Sequence, residues 1–363
     1  MWTLLLLPSL ALTASAQEPH PNQEPPVPLP VDPEPGLPTP EPLRFAGERH
    51  FGAIRRLTTE GESAEGYFSS DDTRIVYQAK VGDAECDQIY LLDLLTGARR
   101  LVSTGRGRTT CSFFMPGDRK VVFASTHAAA DDCLEPPDYS MGYVWKIYPE
   151  FDLWVRDLDT WELTPLAPSP AYDAEAVVSP DGTKIAFTSR RNGDLDIYVM
   201  NVDGTGLIQL TDELGYDGGP FFSPDSKRLV YRAYHPKSPE EIARYQELLD
   251  QDVIEPMALQ IMVMDVDGSN KRQVTDNGAA NFAPYWHPDG RRIIYSSNQA
   301  GGGRNFDLWM ISEDGSDNER ITYCPSFDGF PMFSKDGRRL IFASNRNNAH
   351  PHDTNLFVAE WID

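Results

Sequence analysis

The chain has 363 residues, 40% of them apolar, and a formal charge of −23 with a pI near 4.6. That length and composition allow a sizeable core. The acidity repels phosphate backbones and anionic lipid heads, so no nucleic-acid partner is expected and membrane surfaces are poor partners.

The first residues, MWTLLLLPSLALTASAQEPH, place an apolar run before Ala14-Ser15-Ala16. This is the pattern of a secretory signal peptide cut after Ala16, and the run is too short to span a bilayer. Residues 17–47 follow as a proline-rich linker, with eleven prolines in the 25 residues from Glu18 to Pro42. Proline fixes φ and removes a backbone donor, so an extended, disordered spacer without helix or sheet is expected. An exported, periplasmic or secreted protein with no transmembrane segment follows from this reading.

From residue 48 to 363 one pattern returns six times. Its cores are Tyr67-Phe68-Ser69-Ser70-Asp71-Asp72, Phe113-Phe114-Met115-Pro116-Gly117-Asp118, Val177-Val178-Ser179-Pro180-Asp181-Gly182, Phe221-Phe222-Ser223-Pro224-Asp225-Ser226, Tyr285-Trp286-His287-Pro288-Asp289-Gly290 and Met332-Phe333-Ser334-Lys335-Asp336-Gly337. Aligned on Phe68, Phe114, Val178, Phe222, Trp286 and Phe333, the spacings are 46, 64, 44, 64 and 47 residues. A period in the forties with strand-like patterning signals a β-propeller blade. Each unit reads as four short strands: a with the apolar pair, a Pro-Asp-Gly turn, an alternating strand b, a strand c, an Asp-Gly hairpin and a short strand d. The fold class is therefore all-β, a six-bladed propeller of four-stranded antiparallel blades. Ile54 to Glu60 reads as a strand d with no blade before it, and the C-terminus ends on a strand c. The N-terminal strand is expected to complete the last blade and remove an exposed edge.

The Ser-Pro-Asp-Gly turn, the Ile-x-Phe strand, Ile-Tyr-x-Met and the Asp-Gly hairpin of the third unit resemble the propeller repeats of the TolB family. The first, second and sixth units depart from it at the turn, as Ser70-Asp71-Asp72, Pro116-Gly117-Asp118 and Lys335-Asp336-Gly337. Residues 17–47 leave no room for the α/β domain that precedes the TolB propeller, so the expectation is a TolB-like propeller and not TolB itself. The resemblance implies fold and envelope location, and it does not by itself carry over a partner.

In such a meander the a–b and c–d turns share one face, read as regular scaffold. The b–c loops and d–a connections share the other. Both 64-residue spacings come from long b–c insertions on that second face, about His127–Pro149 and Tyr234–Ala258. Insertions on a rigid scaffold carry binding, and two of them, two blades apart, are expected to wall a groove. Ser238, Pro239 and Glu241 form a capping box that predicts a short helix from Pro239 to Asp250. Tyr139, Tyr143, Trp145 and Tyr148 are candidate aromatic anchors, against the alternative that they pack the loop onto the propeller.

Five residues before each aligned position stand Ser63, Thr109, Asp173, Asp217, Asn281 and Asp328, with Glu175 two residues beyond Asp173. They form either a polar channel-mouth ring for a cation, basic peptide or sugar, or a set of local turn contacts. His127, His235, His350 and His352 fall on the same face. Propeller lyases such as oligogalacturonate lyase hold a divalent metal with histidines on such a face, so these are candidate ligands. Their spacing gives no motif. No cofactor is expected, a divalent cation being the alternative the histidines allow.

Cys86, Cys111, Cys133 and Cys324 gather there too. One disulfide among the first three is expected, pinning the second-unit insertion. No Gly-x-Ser-x-Gly elbow, P-loop or dinucleotide motif occurs. The expected function is a non-catalytic, monomeric binding or scaffold module of the cell envelope, engaging a protein, peptide or glycan on the insertion face. The alternative is a metal-dependent, polysaccharide-acting enzyme at the same place.

Overall fold

The computed structural model describes residues 27–28, 43–348, 350 and 353–363. Six antiparallel four-stranded blades surround one axis. Blade 1 holds strands a to d at Glu62–Phe68, Arg74–Lys80, Gln88–Asp93 and Ala98–Leu101. Blade 2 uses Thr109–Phe114, Lys120–Ser125, Asp152–Asp157 and Leu163–Pro165. Blade 3 uses Asp173–Val178, Lys184–Ser189, Asp196–Asn201 and Ile208–Gln209. Blade 4 uses Tyr216–Phe222, Arg228–Tyr234, Gln260–Asp265 and Arg272–Gln273. Blade 5 uses Asn281–Trp286, Arg292–Ser297, Asp307–Ser312 and Glu319–Arg320.

Blade 6 takes strands a to c from Asp328–Phe333, Arg339–Ser344 and Asn355–Trp361, and its outer strand from Phe51–Arg56. The closing register pairs Phe51 with Trp361, Ile54 with Ala359 and Arg56 with Phe357. The N-terminal strand thus closes the ring, as expected of a strand d with no blade before it.

The turns show why Ser, Asp and Gly recur. Ser69, Ser179, Ser223 and Ser334 each donate through the hydroxyl to the Asp two residues on, at 2.6–2.7 Å. The residue after that Asp in the full motif takes positive φ: Gly182 +73°, Gly290 +68°, Gly337 +71°. Where glycine is missing, Asp72, Asp118 and Ser226 adopt φ of 54–61°, and the side chain works instead. Asp118 accepts from the Ser70 N–H at 2.9 Å, Asp72 from the Lys335 N–H at 3.2 Å, and Ser226 from the Asp181 N–H at 3.1 Å. Each bond ties one blade's turn to the turn of the preceding blade.

The aligned residues Phe68, Phe114, Val178, Phe222, Trp286 and Phe333 are all buried. Their strand neighbours Tyr67, Phe113, Phe221 and Tyr285 point to the axis and touch one another, with ring centroids 5.3–5.6 Å apart. This layer closes the channel.

The sequence excludes sheet from the proline segment, and the structure corrects that at two residues. Val27–Pro28 pairs with Arg99 and Ala98 on the outer edge of blade 1. An edge is where a strand tolerates a proline that cannot donate. Residues 43–48 pack onto blade 6. Arg346 donates to Leu43 O at 2.8 Å and bridges Glu48 and Asp328 at 3.0 Å, all three side chains fully buried. The expected signal peptide and most of the expected linker lie outside the described residues.

Candidate functional site

The two insertions, expected to wall a groove, meet instead. Trp145–Lys146 pairs antiparallel with Val253–Ile254, a two-stranded ribbon bridging blades 2 and 4. Lys146 Nζ donates to Gln251 O at 2.9 Å, and Ile147 N–H to Asp252 O at 2.8 Å. Arg190 of the blade 3 b–c loop anchors the ribbon from below through Asp252 at 2.5 Å. The helix spans Pro239–Leu249 with its capping box at Ser238 and Glu241. It buries Tyr245, Leu248 and Leu249, and the Tyr245 hydroxyl donates to Asp194 at 2.5 Å. Val144, Leu248 and Val253 form a small core inside this canopy. The Cys86–Cys133 disulfide ties the blade 2 insertion to the blade 1 loop. Cys111 and Cys324 are free thiols.

The four candidate aromatics divide. Tyr139 and Tyr143 are 61% and 51% exposed. Trp145 is half-buried, with the Arg232 guanidinium 5.1 Å from its ring and Phe282 edge-on at 6.4 Å. Tyr148 is buried and donates to Glu135 O at 2.7 Å.

The six polar positions at the entry to strand a are each at most 2% exposed. Their backbone N–H groups repeat one bond: Ser63 to Thr354 O, Thr109 to Asp87 O, Asp173 to Phe151 O, Asp217 to Leu195 O, Asn281 to Leu259 O and Asp328 to Phe306 O, at 2.7–3.2 Å. Every acceptor is the residue just before strand c of the preceding blade. Most of the side chains, though not the buried Ser63 hydroxyl, have structural partners as well. Asp173 takes both oxygens to Arg191 at 3.0 Å, Asp217 meets His235 at 3.1 Å, Asn281 donates to Leu259 O at 2.9 Å, and Asp328 holds Arg346. The structure does not bring these residues to a common solvent-facing ring. They staple blade to blade.

Glu175 belongs to a different ring. In every strand a the ladder slips at one bulge, and the bulged residue has positive φ: Glu65, Cys111, Glu175, Gly219, Ala283 and Phe330, at 46–60°. Bulges re-aim side chains, here toward the axis. They free backbone N–H groups that the preceding blade's strand b captures. Cys111 donates to Gln78 at 3.1 Å, Gly219 to Thr188 at 3.2 Å, and Phe330 to Ser296 at 3.2 Å. Residues of this ring line a cavity of about 20 Å³, room for a single water. Glu175 pairs with Arg232 and accepts from Thr188 Oγ1 at 2.6 Å. Arg232 also donates to the Tyr216 hydroxyl at 3.0 Å. Glu65 lies 3.5 Å from the Tyr67 hydroxyl. Burial pushes its carboxyl up to about 7, with Glu175 and Asp87 adding to the rise and the Cys111 thiol and Arg232 opposing it. The signal for this ring is a constant offset, three residues before each aligned position. Glu65 at that offset escapes the sequence reading, and Cys111 appears in it only as a disulfide candidate, whereas it is a free thiol.

The histidines stand apart. His127 is buried, hydrogen-bonded to Ser125 Oγ at 2.9 Å and packed on Trp154, and burial together with Arg106 and Arg156 lowers its pKa. His235 sits between Asp217 and Glu213. His350 is exposed and His352 lies outside the described residues. Among the described residues no group of three or more His, Cys, Asp or Glu is arranged to hold a metal ion.

The a–b turn face, read from sequence as plain scaffold, holds a funnel of about 490 Å³ on the axis. Its floor is the closing layer, with Phe113, Tyr285 and Met332 exposed to it, and its rim is the turns.

The TolB beta propeller domain profile matches residues 139–240 and 254–351, more than half of the chain. The chain belongs to the TolB β-propeller family. The Tol-Pal system protein TolB of Roseobacter denitrificans is 40% identical over 48 residues, which span 13% of this chain and 11% of that protein. The chain thus matches only a small part of that relative's length. TolB from Acinetobacter baumannii superposes with a TM-score of 0.56 at 18% identity, over 73% of this chain and 55% of that one. An oligogalacturonate lyase in complex with manganese superposes with a TM-score of 0.50 at 18% identity, over 90% and 96%. These two likenesses show the shared fold alone, and that fold serves both a TolB and a lyase. No helix among the described residues is long and apolar enough to cross a membrane.

Proposed function

We propose that this TolB-like propeller is an exported, non-catalytic binding module of the cell envelope, holding a protein, peptide or glycan partner on the canopy. The observation that carries the reading is the exposure of Tyr139 and Tyr143 on a loop fixed at its base. Both residues are more than half exposed, while the Cys86–Cys133 disulfide and the ribbon with Val253–Ile254 hold the segment that bears them. Large aromatic rings presented by a braced surface lose little conformational entropy on binding. The disulfide also supports export, because such bonds persist in oxidising compartments.

The test is a pull-down from envelope extract with the intact protein and with the Tyr139→Ser/Tyr143→Ser variant. The proposal expects a partner retained by the first and lost from the second at unchanged melting temperature. Identical retention by both removes the canopy as the binding surface.

A further inference from the structure

We infer that the canopy's partner is a basic polypeptide segment, which lays arginine or lysine side chains over Tyr139 and Tyr143 and against the carboxylates beside them. The inference rests on the canopy being the binding surface, and it names the chemistry that this surface selects.

The apolar part of the surface follows the ribbon. Tyr143 precedes Trp145 and Met257 follows Ile254, so the antiparallel pairing brings both to one end. Each is more than half exposed, and the Trp145 indole donates to the Tyr143 hydroxyl at 3.2 Å. Tyr139 stands toward the other end, near the buried Tyr148. Burial raises the Tyr148 pKa, Arg108 opposes the rise, and Tyr139, Glu150 and Glu135 add to it. One exposed ring and two carboxylates thus gather around a single phenol. Arg108 is already committed there, donating to Leu134 O at 2.8 Å and lying 5.2 Å from the Tyr148 ring. A guest meets rings on a braced surface, which lowers the ordering cost of binding.

Charge selects the guest. Residues 127–150 and 237–258 carry eleven carboxylates against three lysines and arginines. Two of those three cations are spent locally, Lys146 on Asp252 at 3.8 Å and Arg244 on Glu255 at 2.6 Å. Arg106 and Arg190, from neighbouring loops, meet Asp131 and Asp252. Among the described residues, Asp132, Glu135, Glu150, Glu240 and Asp250 form no ion pair, and Lys237 is the one cation of the two segments in the same state. A guanidinium or ammonium over an exposed tyrosine gains from the ring's negative face, and a carboxylate beside it adds a charge-assisted hydrogen bond. An acidic segment would meet like charge over most of the canopy. A neutral glycan would use the rings and gain nothing from the charge, so it is the guest to test against.

The experiment measures fluorescence anisotropy of the full chain with a labelled Arg-Gly-Arg-Gly-Arg-Gly-Arg peptide, with its glutamate counterpart, and with labelled maltohexaose. The basic probe binds, and its affinity falls as salt rises. Glu135→Lys and Asp250→Lys each weaken it about 3-fold, the effect of one charge acting near a protein surface. Glu162→Lys makes the same change of charge at an exposed c–d turn of blade 2, on the opposite face, and leaves the affinity as it was. Tyr139→Ser/Tyr143→Ser weakens the basic probe about 10-fold at unchanged melting temperature, the loss of two ring contacts to cations. The inference is overturned if the basic probe shows no binding up to about 1 mM, if the acidic or the saccharide probe binds equally, or if Glu162→Lys costs as much as the two canopy changes, which reduces the effect to net charge. Any of these, with the tyrosine variant still losing its partner in the pull-down, withdraws the basic guest and leaves the canopy as the binding surface.

Discussion

Replacing Glu65 by Gln should stabilise the protein above neutral pH and do little in acid. In the folded chain burial lifts the Glu65 carboxyl from the ordinary 4.5 to about 7. Below pH 4.5 the group is protonated in both folded and unfolded chains, and it sets no difference between them. Between 4.5 and 7 the unfolded chain has released the proton that the folded one keeps, so stability drains away as pH rises. Above 7 the full deficit is in place, up to about 3 kcal/mol for a gap of this size. Asp87, Asp196 and Asp307, pushed by burial to about 6, 7 and 6, slope the wild-type curve in the same sense. The difference between wild type and Glu65→Gln isolates the one residue. Urea denaturation at pH 4.5 and pH 8, with equal m values, reads it directly. The variant gains up to about 3 kcal/mol at pH 8 and close to nothing at pH 4.5. A variant no more stable than wild type at pH 8, or a gain equal at both values, would refute the assignment of a protonated carboxyl to the channel.

Other outcomes follow from the same geometry. Arg346→Met strands the buried carboxylates of Glu48 and Asp328 and costs about 3–5 kcal/mol by chemical denaturation, with early proteolysis before Phe51. Deleting Phe51–Arg56 opens the outer edge of blade 6, and size-exclusion chromatography should show aggregate where the intact chain elutes as one species. The Cys86→Ser/Cys133→Ser pair releases a loop of 47 residues' separation, lowers stability by about 2–4 kcal/mol, and makes residues 128–149 the first site of proteolytic cutting.

Periodic features were legible in the sequence because each repeats with a local cause. The aligned apolar residues mark six strands, and the Pro-Asp-Gly turns and the capping box at Ser238 each encode their own geometry. The orphan strand at Ile54 implied closure. Features set by contact between distant segments were not. Trp145 and Ile254 carry no sign that they pair, since two residues of ribbon between two loops have no periodicity. Asp173, Asp217 and Asp328 announce a shared position, while their exposure depends on arginines and histidines supplied at the ends of strand b. The bulge ring was hidden for another reason. Glu65, Cys111, Gly219 and Phe330 have no chemistry in common, because the slipped ladder, and not residue preference, imposes the backbone conformation. The funnel emerges only when six unremarkable turns are set in a circle.

The buried triad of Arg346, Glu48 and Asp328 has a mechanical consequence. It lies a few residues outside the strand that seals the ring, so tension arriving along the chain from its N-terminal side loads those charged contacts before it reaches the closing ladder. The seam of the disc, its weakest joint by connectivity, is thereby shielded from pulling by a knot of charge that water cannot reach.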